Sequence, residues 1–290
     1  AMLSSLQVCR ADQSTRYLDK FPDFLILGPQ RTGTTWLAEN LRLHPNVFVT
    51  EPKEVYYFSG LGEPAAWPEA PDDLEWYLQH FHESKLTIVA KQFNALRRFR
   101  KLYKPMVRGE ATATYAAAIS DAAMDDLLAM NPNLKCILML RNPIQRAWSH
   151  VKKDLLNVSH LNVRERDLSE VSESEILDFI LSPYQIKCGK YADQINRWQS
   201  RLKSGNLFIG VFDDLSQAPE RLLLDVYRFL GIPGDAKLLP KLVRTSIERT
   251  DSVANAGKRE MPASIQSCLA NLFADDIPAL EKSFDCRLVS

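Results

Sequence analysis

Along the chain, short continuous apolar runs alternate with runs in which apolar residues recur every three or four positions. Phe24-Leu25-Ile26-Leu27 is the first continuous run, the pattern of a strand buried on both faces. It stops at Gly28-Pro29, and Thr34 to Leu43 then carries Trp36, Leu37 and Leu41 at helical spacing. Val47-Phe48-Val49, Ile88-Val89, Val107 to Glu110, Lys135 to Leu140 and Leu207 to Phe212 predict further strands. Asp121 to Met130 predicts a helix capped by Ser120 and ended by Asn131-Pro132. Asn142-Pro143 starts another, which continues through Arg146, Ser149 and Val151. Ile186 to Leu202, Pro219 to Leu230 and Pro262 to Glu281 complete the helices, while about 59–86 and 157–184 predict long loops. Residues 1–20, polar and aperiodic, predict a flexible arm ahead of one domain over 21–290. Strand and helix alternate, so the fold class is α/β: a single domain with a parallel central sheet of about five strands, flanked by helices.

Composition agrees and narrows the partners. A chain of 290 residues that is 46% apolar can bury one sizeable core. Its 36 basic residues balance 36 acidic ones, so no global field draws it to nucleic acid and any anion site must be local. The five cysteines (Cys9, Cys136, Cys188, Cys268, Cys286) form no CxxC, which predicts reduced thiols rather than a zinc site or a disulfide framework. No other metal-ligand cluster is expected. No apolar run approaches the ~20 residues that span a bilayer, and the start lacks the order of a signal peptide. The expectation is a cytoplasmic protein, or a soluble domain of a larger one, of undetermined oligomeric state.

The most informative segment is Gly28-Pro29-Gln30-Arg31-Thr32-Gly33-Thr34-Thr35. It has the length and both glycines of a Walker A loop, whose backbone N–H groups and following helix N-terminus cradle anions. Thr34 stands where such a loop carries Lys, and the cation has moved to Arg31. A P-loop kinase or NTPase with a degenerate loop and a non-catalytic nucleotide-binding module are the alternatives this leaves open. The stretch "FLILGPQRTGTTWL" resembles the 5′-phosphosulfate loop of sulfotransferases that use 3′-phosphoadenosine-5′-phosphosulfate (PAPS), closest to the heparan-type carbohydrate branch. The resemblance implies a P-loop-like sulfotransferase fold, PAPS as cofactor with adenosine 3′,5′-bisphosphate as product, and Arg31, Thr32, Gly33, Thr34 and Thr35 around the 5′-phosphosulfate.

"LRNPIQRAWS" follows the Lys135 to Leu140 strand and is similar to the family's 3′-phosphate motif, which implies that Arg141 and Ser149 hold that phosphate. "GKYADQINRW" and "FIGVFDDLSQAPERLLLDVYRFLGIP" resemble further family segments. "NAGKREMP" sits where the family has a late basic loop, and on that likeness Lys258 and Arg259 join the nucleotide site.

Sulfuryl transfer to an alcohol or amine needs a base for the acceptor proton and positive charge for the departing phosphate. "EPKEVYYFSG" looks like the heparan-type segment whose Glu is the base, which implies Glu54 as base with Lys53 and Arg31 supplying charge. "GEATATY" departs from the related family run in placing Ala111 where relatives carry Lys. His44 reads as structural, His150 as facing away from the nucleotide, and His80 and His82 as lying near Trp76 and Tyr77. The expected acceptor is a small molecule or a glycan: a hydroxyl or amine of a carbohydrate, lipid or polyketide-like metabolite, with Tyr56, Tyr57, Trp67, Trp76 and Tyr77 available to line its site.

Overall fold

The structure is a computed structural model that describes residues 21–61, 74–156, 166–240, 260–278 and 280. The predicted arm and the basic pair Lys258 and Arg259 lie outside the described residues, as do Trp67, Cys9 and Cys286. Five parallel strands form one sheet: β1 (Phe24–Gly28), β2 (Val47–Val49), β3 (Val107–Ala111), β4 (Lys135–Leu140) and β5 (Leu207–Val211), in the order β2-β3-β1-β4-β5. The main helices are α1 (Thr34–Arg42), α2 (Lys85–Phe99), α3 (Asp121–Met130), α4 (Pro143–Val151), α5 (Glu173–Ile180), α6 (Pro183–Gly189), α7 (Tyr191–Gln199), α8 (Pro219–Leu230) and α9 (Ala263–Leu272).

The continuous apolar runs became the middle of the sheet because a strand covered on both faces has no polar side to present. Successive β1 residues enter opposite cores. Phe24 and Ile26 pack with Trp36, Leu37 and Leu41 of α1 and with Leu223 and Val226 of α8. Leu25 and Leu27 pack with Met124 and Leu127 of α3 and with Tyr191, Ile195 and Trp198 of α7. A third cluster joins α4, α5 and α9 through Trp148, Val151, Ile176, Ile180, Ile265 and Leu269. Cys136 and Cys188 are buried thiols and Cys268 is half-buried. Among the described residues no helix is long and apolar enough to cross a membrane.

Several expectations are corrected. Ile88-Val89 is not a strand but part of α2, which Ser84 caps by accepting from the Thr87 N–H at 3.1 Å. Two β-branched neighbours suggest a strand in isolation. The Ala, Lys, Gln, Leu and Arg around them favour helix, and the summed preference decides. The helix predicted over Ile186 to Leu202 is two, α6 and α7, meeting at Lys190 with φ −82° and ψ 77°. The break turns Tyr191 toward the end of β4. The last helix is shorter than predicted, and the two long loops contain Leu74–Gln79 and α5 within their described parts.

His44 closes the region behind α1. It stacks on Tyr227 at 4.6 Å, and its Nδ1 accepts from the Asn46 N–H at 3.1 Å while Nε2 donates to the Pro233 carbonyl at 3.1 Å. A ring that accepts at Nδ1 must be neutral. Burial, opposed by the Pro233 bond and aided by Lys101, pushes its pKa from 6.5 down to about 4. A depressed histidine pKa means that the folded state resists protonation, so this contribution is complete above pH 6.5 and is lost as pH falls through about 4. The loss should approach about 3 kcal/mol. Urea unfolding of wild type and His44→Gln across that window checks it, since equal acid sensitivity in both would remove His44 as the cause.

Candidate active site

The strand order places the chemistry. The chain runs from β1 outward through β2 and back to β3, then crosses to β4 on the other side of β1. Ligands of open parallel sheets bind beyond the carboxyl ends of strands where the path reverses in this way. The Gly28–Thr35 loop leaves β1 there, Lys53 and Glu54 follow β2, Thr112 and Ala113 follow β3, and Arg141 follows β4.

The loop is shaped by backbone constraints. Gly28 has φ 106°, and a Cβ on it would lie 2.1 Å from the Ala113 carbonyl oxygen, so only glycine fits. The Gly28-Pro29 peptide is cis. Thr32 is fully buried and its hydroxyl donates to the Pro29 carbonyl at 2.7 Å, which commits that hydroxyl to closing the loop. Gly33, with φ 88°, starts α1, with Thr34 buried and Thr35 exposed in the first turn. The N–H groups of that turn have no intrahelical acceptors and carry the positive end of the helix dipole.

Two motifs far apart in sequence meet at this loop. Arg31 Nε donates to Ser149 Oγ at 3.0 Å, across 118 positions. Arg141 Nη1 donates to the Arg31 carbonyl at 3.1 Å, and its guanidinium lies 4.1 Å over the Phe212 ring. The Tyr191 hydroxyl donates to the Arg141 carbonyl at 2.7 Å and fixes the end of β4. Asn142 caps α4 by accepting from the N–H groups of Ile144 and Gln145 at 2.9 and 3.1 Å, which orients the helix that carries Ser149. Arg31 and Arg141 are both half-buried, so their charge is partly desolvated. His150 belongs to another network: it meets Gln185 at 3.0 Å through Nδ1 and Asp154 at 2.8 Å through Nε2.

Glu54 sits on the opposite wall in the left-handed region, with φ 68°. Its N–H donates to the Ala111 carbonyl at 3.0 Å, and its Oε2 accepts from the Ala113 N–H at 2.8 Å. Its other oxygen pairs with Lys53. Lys53 is only 18% exposed. Burial first, then repulsion from Lys153 and Arg42, pushes its pKa down to about 7, with Glu110 and Glu39 opposing. Four non-glycine residues among those described have positive φ, and Arg31, Glu54 and Tyr56 are three of them. Strain of this kind gathers where a site must hold an unusual geometry.

Sequence reasoning missed the group that holds this wall in place. Glu110 is fully buried at the end of β3, and its carboxylate accepts from Tyr77 at 2.6 Å, from Tyr115 at 2.9 Å and from Thr112. Thr112 Oγ1 in turn accepts from the Val55 N–H at 3.0 Å, and Tyr115 Oη from the Phe58 N–H at 3.3 Å. Burial raises the Glu110 pKa and the three hydrogen bonds oppose that rise. A Glu among Val, Gly and Ala near the end of a strand was the available signal. Glu110→Ala strands three buried hydroxyls and should cost roughly 3–5 kcal/mol, whereas Glu110→Gln keeps acceptor capacity and should cost less. Thermal unfolding separates them; an alanine variant as stable as wild type would refute the network.

The remaining histidines lie outside this wall. His80 Nδ1 contacts the Trp76 and Tyr77 carbonyls at 3.0 and 3.2 Å, and His82 is exposed. An open cleft of about 450 Å³ lies beyond Tyr115, lined among others by Ile119, Lys187, Lys190 and Arg197, and contains none of the residues proposed from sequence.

The model of the sulfotransferase domain matches residues 21–267. The bifunctional heparan sulfate N-deacetylase/N-sulfotransferase 1 of Caenorhabditis briggsae is 28% identical over 229 residues, 73% of this chain and 23% of that protein. The bifunctional heparan sulfate N-deacetylase/N-sulfotransferase 2 of Mus musculus is 28% identical over 222 residues, 74% of this chain and 22% of that protein. The chain therefore spans under a quarter of the length of these curated relatives. In fold it is similar to a sulfotransferase from Alicyclobacillus acidocaldarius, with TM-score 0.58 and 23% identity over 91% of this chain and 96% of the other. It is also similar to sulfotransferase STF9 from Mycobacterium avium, with TM-score 0.50 and 14% identity over 98% and 84%.

Proposed function

This chain belongs to the sulfotransferase family, and from that premise we propose that it moves the sulfuryl group of PAPS to a hydroxyl or amine with Glu54 as base. The observation that carries the reading is the meeting of Arg31 and Arg141 ahead of α1, with Ser149 reaching Arg31 from the last turn of α4. Two guanidiniums, hydroxyls and a helix N-terminus form a donor set suited to anions, and it extends over two motifs as a nucleotide with separate 5′ and 3′ phosphates requires. Membership of this family displaces the degenerate P-loop kinase.

PAPS supplies the sulfuryl group and a phosphate leaving group when bound. Arg31, Thr34, Thr35 and the backbone at Gly33 are assigned to the 5′-phosphosulfate; the Thr32 hydroxyl supports the loop. Arg141 and Ser149 are assigned to the 3′-phosphate, and from sequence Lys258 and Arg259 are assigned to the same nucleotide. Glu54 accepts the acceptor proton, and the Ala113 N–H holds its carboxylate in place. On the family likeness Lys53, which with a pKa of about 7 is protonated below neutral pH, takes the role of the Lys that the family run carries at the position of Ala111, and it approaches from the β2 side instead. The curated relatives are named for N-sulfation of heparan sulfate, which supports a glycan amine or hydroxyl as the acceptor class.

Calorimetric titration with adenosine 3′,5′-bisphosphate tests the donor assignment, with ADP and Mg²⁺ as comparison. Micromolar or tighter binding of the bisphosphate alone is expected. Preference for ADP, or no binding of either, would overturn it.

A further inference from the structure

Helix α2 presents an apolar stripe that nothing in the described fold covers. Leu86, Val89, Phe93 and Leu96 are 83%, 65%, 66% and 44% exposed. At 100° per residue they fall within about 80° of arc, and buried Ala95 lies roughly opposite. Leu102 and Met106, past the end of the helix, are 64% and 56% exposed. Isolated exposed leucines are ordinary, but a contiguous patch of this kind marks an interaction surface.

Charge says what the surface fits. Residues 85–106 carry seven of the chain's 36 basic residues and none of its 36 acidic ones. Lys85 and Arg97, both exposed, flank the stripe at that spacing, Arg98 is exposed on the far side, and Arg100, Lys101 and Lys104 are exposed beyond it. A second copy of the chain would set these cations against each other, so self-association along the stripe is disfavoured. A polyanion without apolar surface would leave Phe93 and Val89 in water. The helix is also pinned from behind. Gln92 bonds the Tyr103 backbone at 2.7 and 2.9 Å, and Lys91 pairs with Glu83 at 2.8 Å while lying 5.0 Å from the Phe48 ring. A partner that wraps a helix therefore has no access, and a flat surface does.

We infer that α2 is an interfacial helix that docks this domain on an anionic lipid bilayer, with Leu86, Val89, Phe93 and Leu96 entering the acyl boundary and the flanking Arg and Lys meeting headgroup phosphates. This goes beyond the sulfuryl-transfer reading and does not depend on it. Docking would hold the site at a membrane surface, where acceptors carried by lipids or membrane glycoconjugates are concentrated.

Co-sedimentation of the full chain with vesicles tests it. Binding is expected to phosphatidylcholine–phosphatidylglycerol vesicles and not to phosphatidylcholine alone. Val89→Ser/Phe93→Ser and Lys85→Glu/Arg97→Glu should each weaken partitioning by at least about tenfold. All four positions are solvent-facing, and circular dichroism confirms that each variant is folded. Failure to bind the anionic vesicles would overturn the inference, as would undiminished binding by the serine variant, which would show that charge elsewhere suffices. A dimer in light scattering that dissolves in the serine variant, without vesicle binding, would assign the stripe to a second copy instead.

Discussion

Glu54→Gln is expected to lower turnover by about 10²–10⁴-fold while bisphosphate affinity stays near that of wild type. Gln is nearly isosteric and keeps a carbonyl oxygen to accept from the Ala113 N–H, so the wall after β2 should retain its shape. What disappears is the negative oxygen beside Lys53 and the capacity to take a proton. Loss confined to kcat is the signature of a group that acts in the transition state. Transfer of labelled sulfate at saturating donor, paired with calorimetry on the same protein, reads both quantities. Wild-type turnover would show that another base serves. Equal loss of affinity would make Glu54 part of the nucleotide site or its scaffold.

Arg141→Ala should weaken adenosine 3′,5′-bisphosphate by about 10–100-fold, the worth of a charge-assisted phosphate contact. Arg141 also supports the Arg31 carbonyl and covers the Phe212 ring, so removing it loosens the phosphate loop as well. Arg141→Lys separates the two roles. Lys keeps the charge but lacks the planar fork that donates to Arg31 while facing a phosphate. Intermediate affinity in Lys with near-complete loss in Ala is expected. Unchanged binding in Ala would remove Arg141 from the 3′-phosphate site and leave the family motif without its main cation here.

The contrast between the two variants also tests how the site is divided. Glu54 and Lys53 hang from β2 and are steadied by the Glu110 network, whereas Arg31, Arg141 and Ser149 hang from β1, β4 and α4. The two walls are anchored to different strands and touch where Gly28 of the loop packs on Ala113. A lesion in one should leave the other's measured property in place.

Much of this was legible in the residues. The apolar runs of β1 and β4 read as strands buried on both faces, and Asn142-Pro143 and Ser120 read as helix starts, as the structure has them. The glycines and the displaced cation of residues 28–35 marked an anion loop before any partner was known. These features are legible because their causes are local: sterics at φ > 0, capping, and the period at which a side chain returns to one face.

What the tertiary structure decided depends on partners distant in the chain. Nothing near Arg31 announces that its guanidinium meets Ser149; the contact follows from β4 lying beside β1, a consequence of strand order. Glu110 read as one residue of a motif, yet burial made it the acceptor for three hydroxyls that fix the segment after Glu54. Ile88-Val89 read as a strand because two β-branched neighbours favour one, yet the helix preference of the residues around them prevailed. Local pattern sets which element can form. Which side chains then share a site is set by the packing of whole elements, where the energy of burying an unpaired polar group far exceeds any local preference.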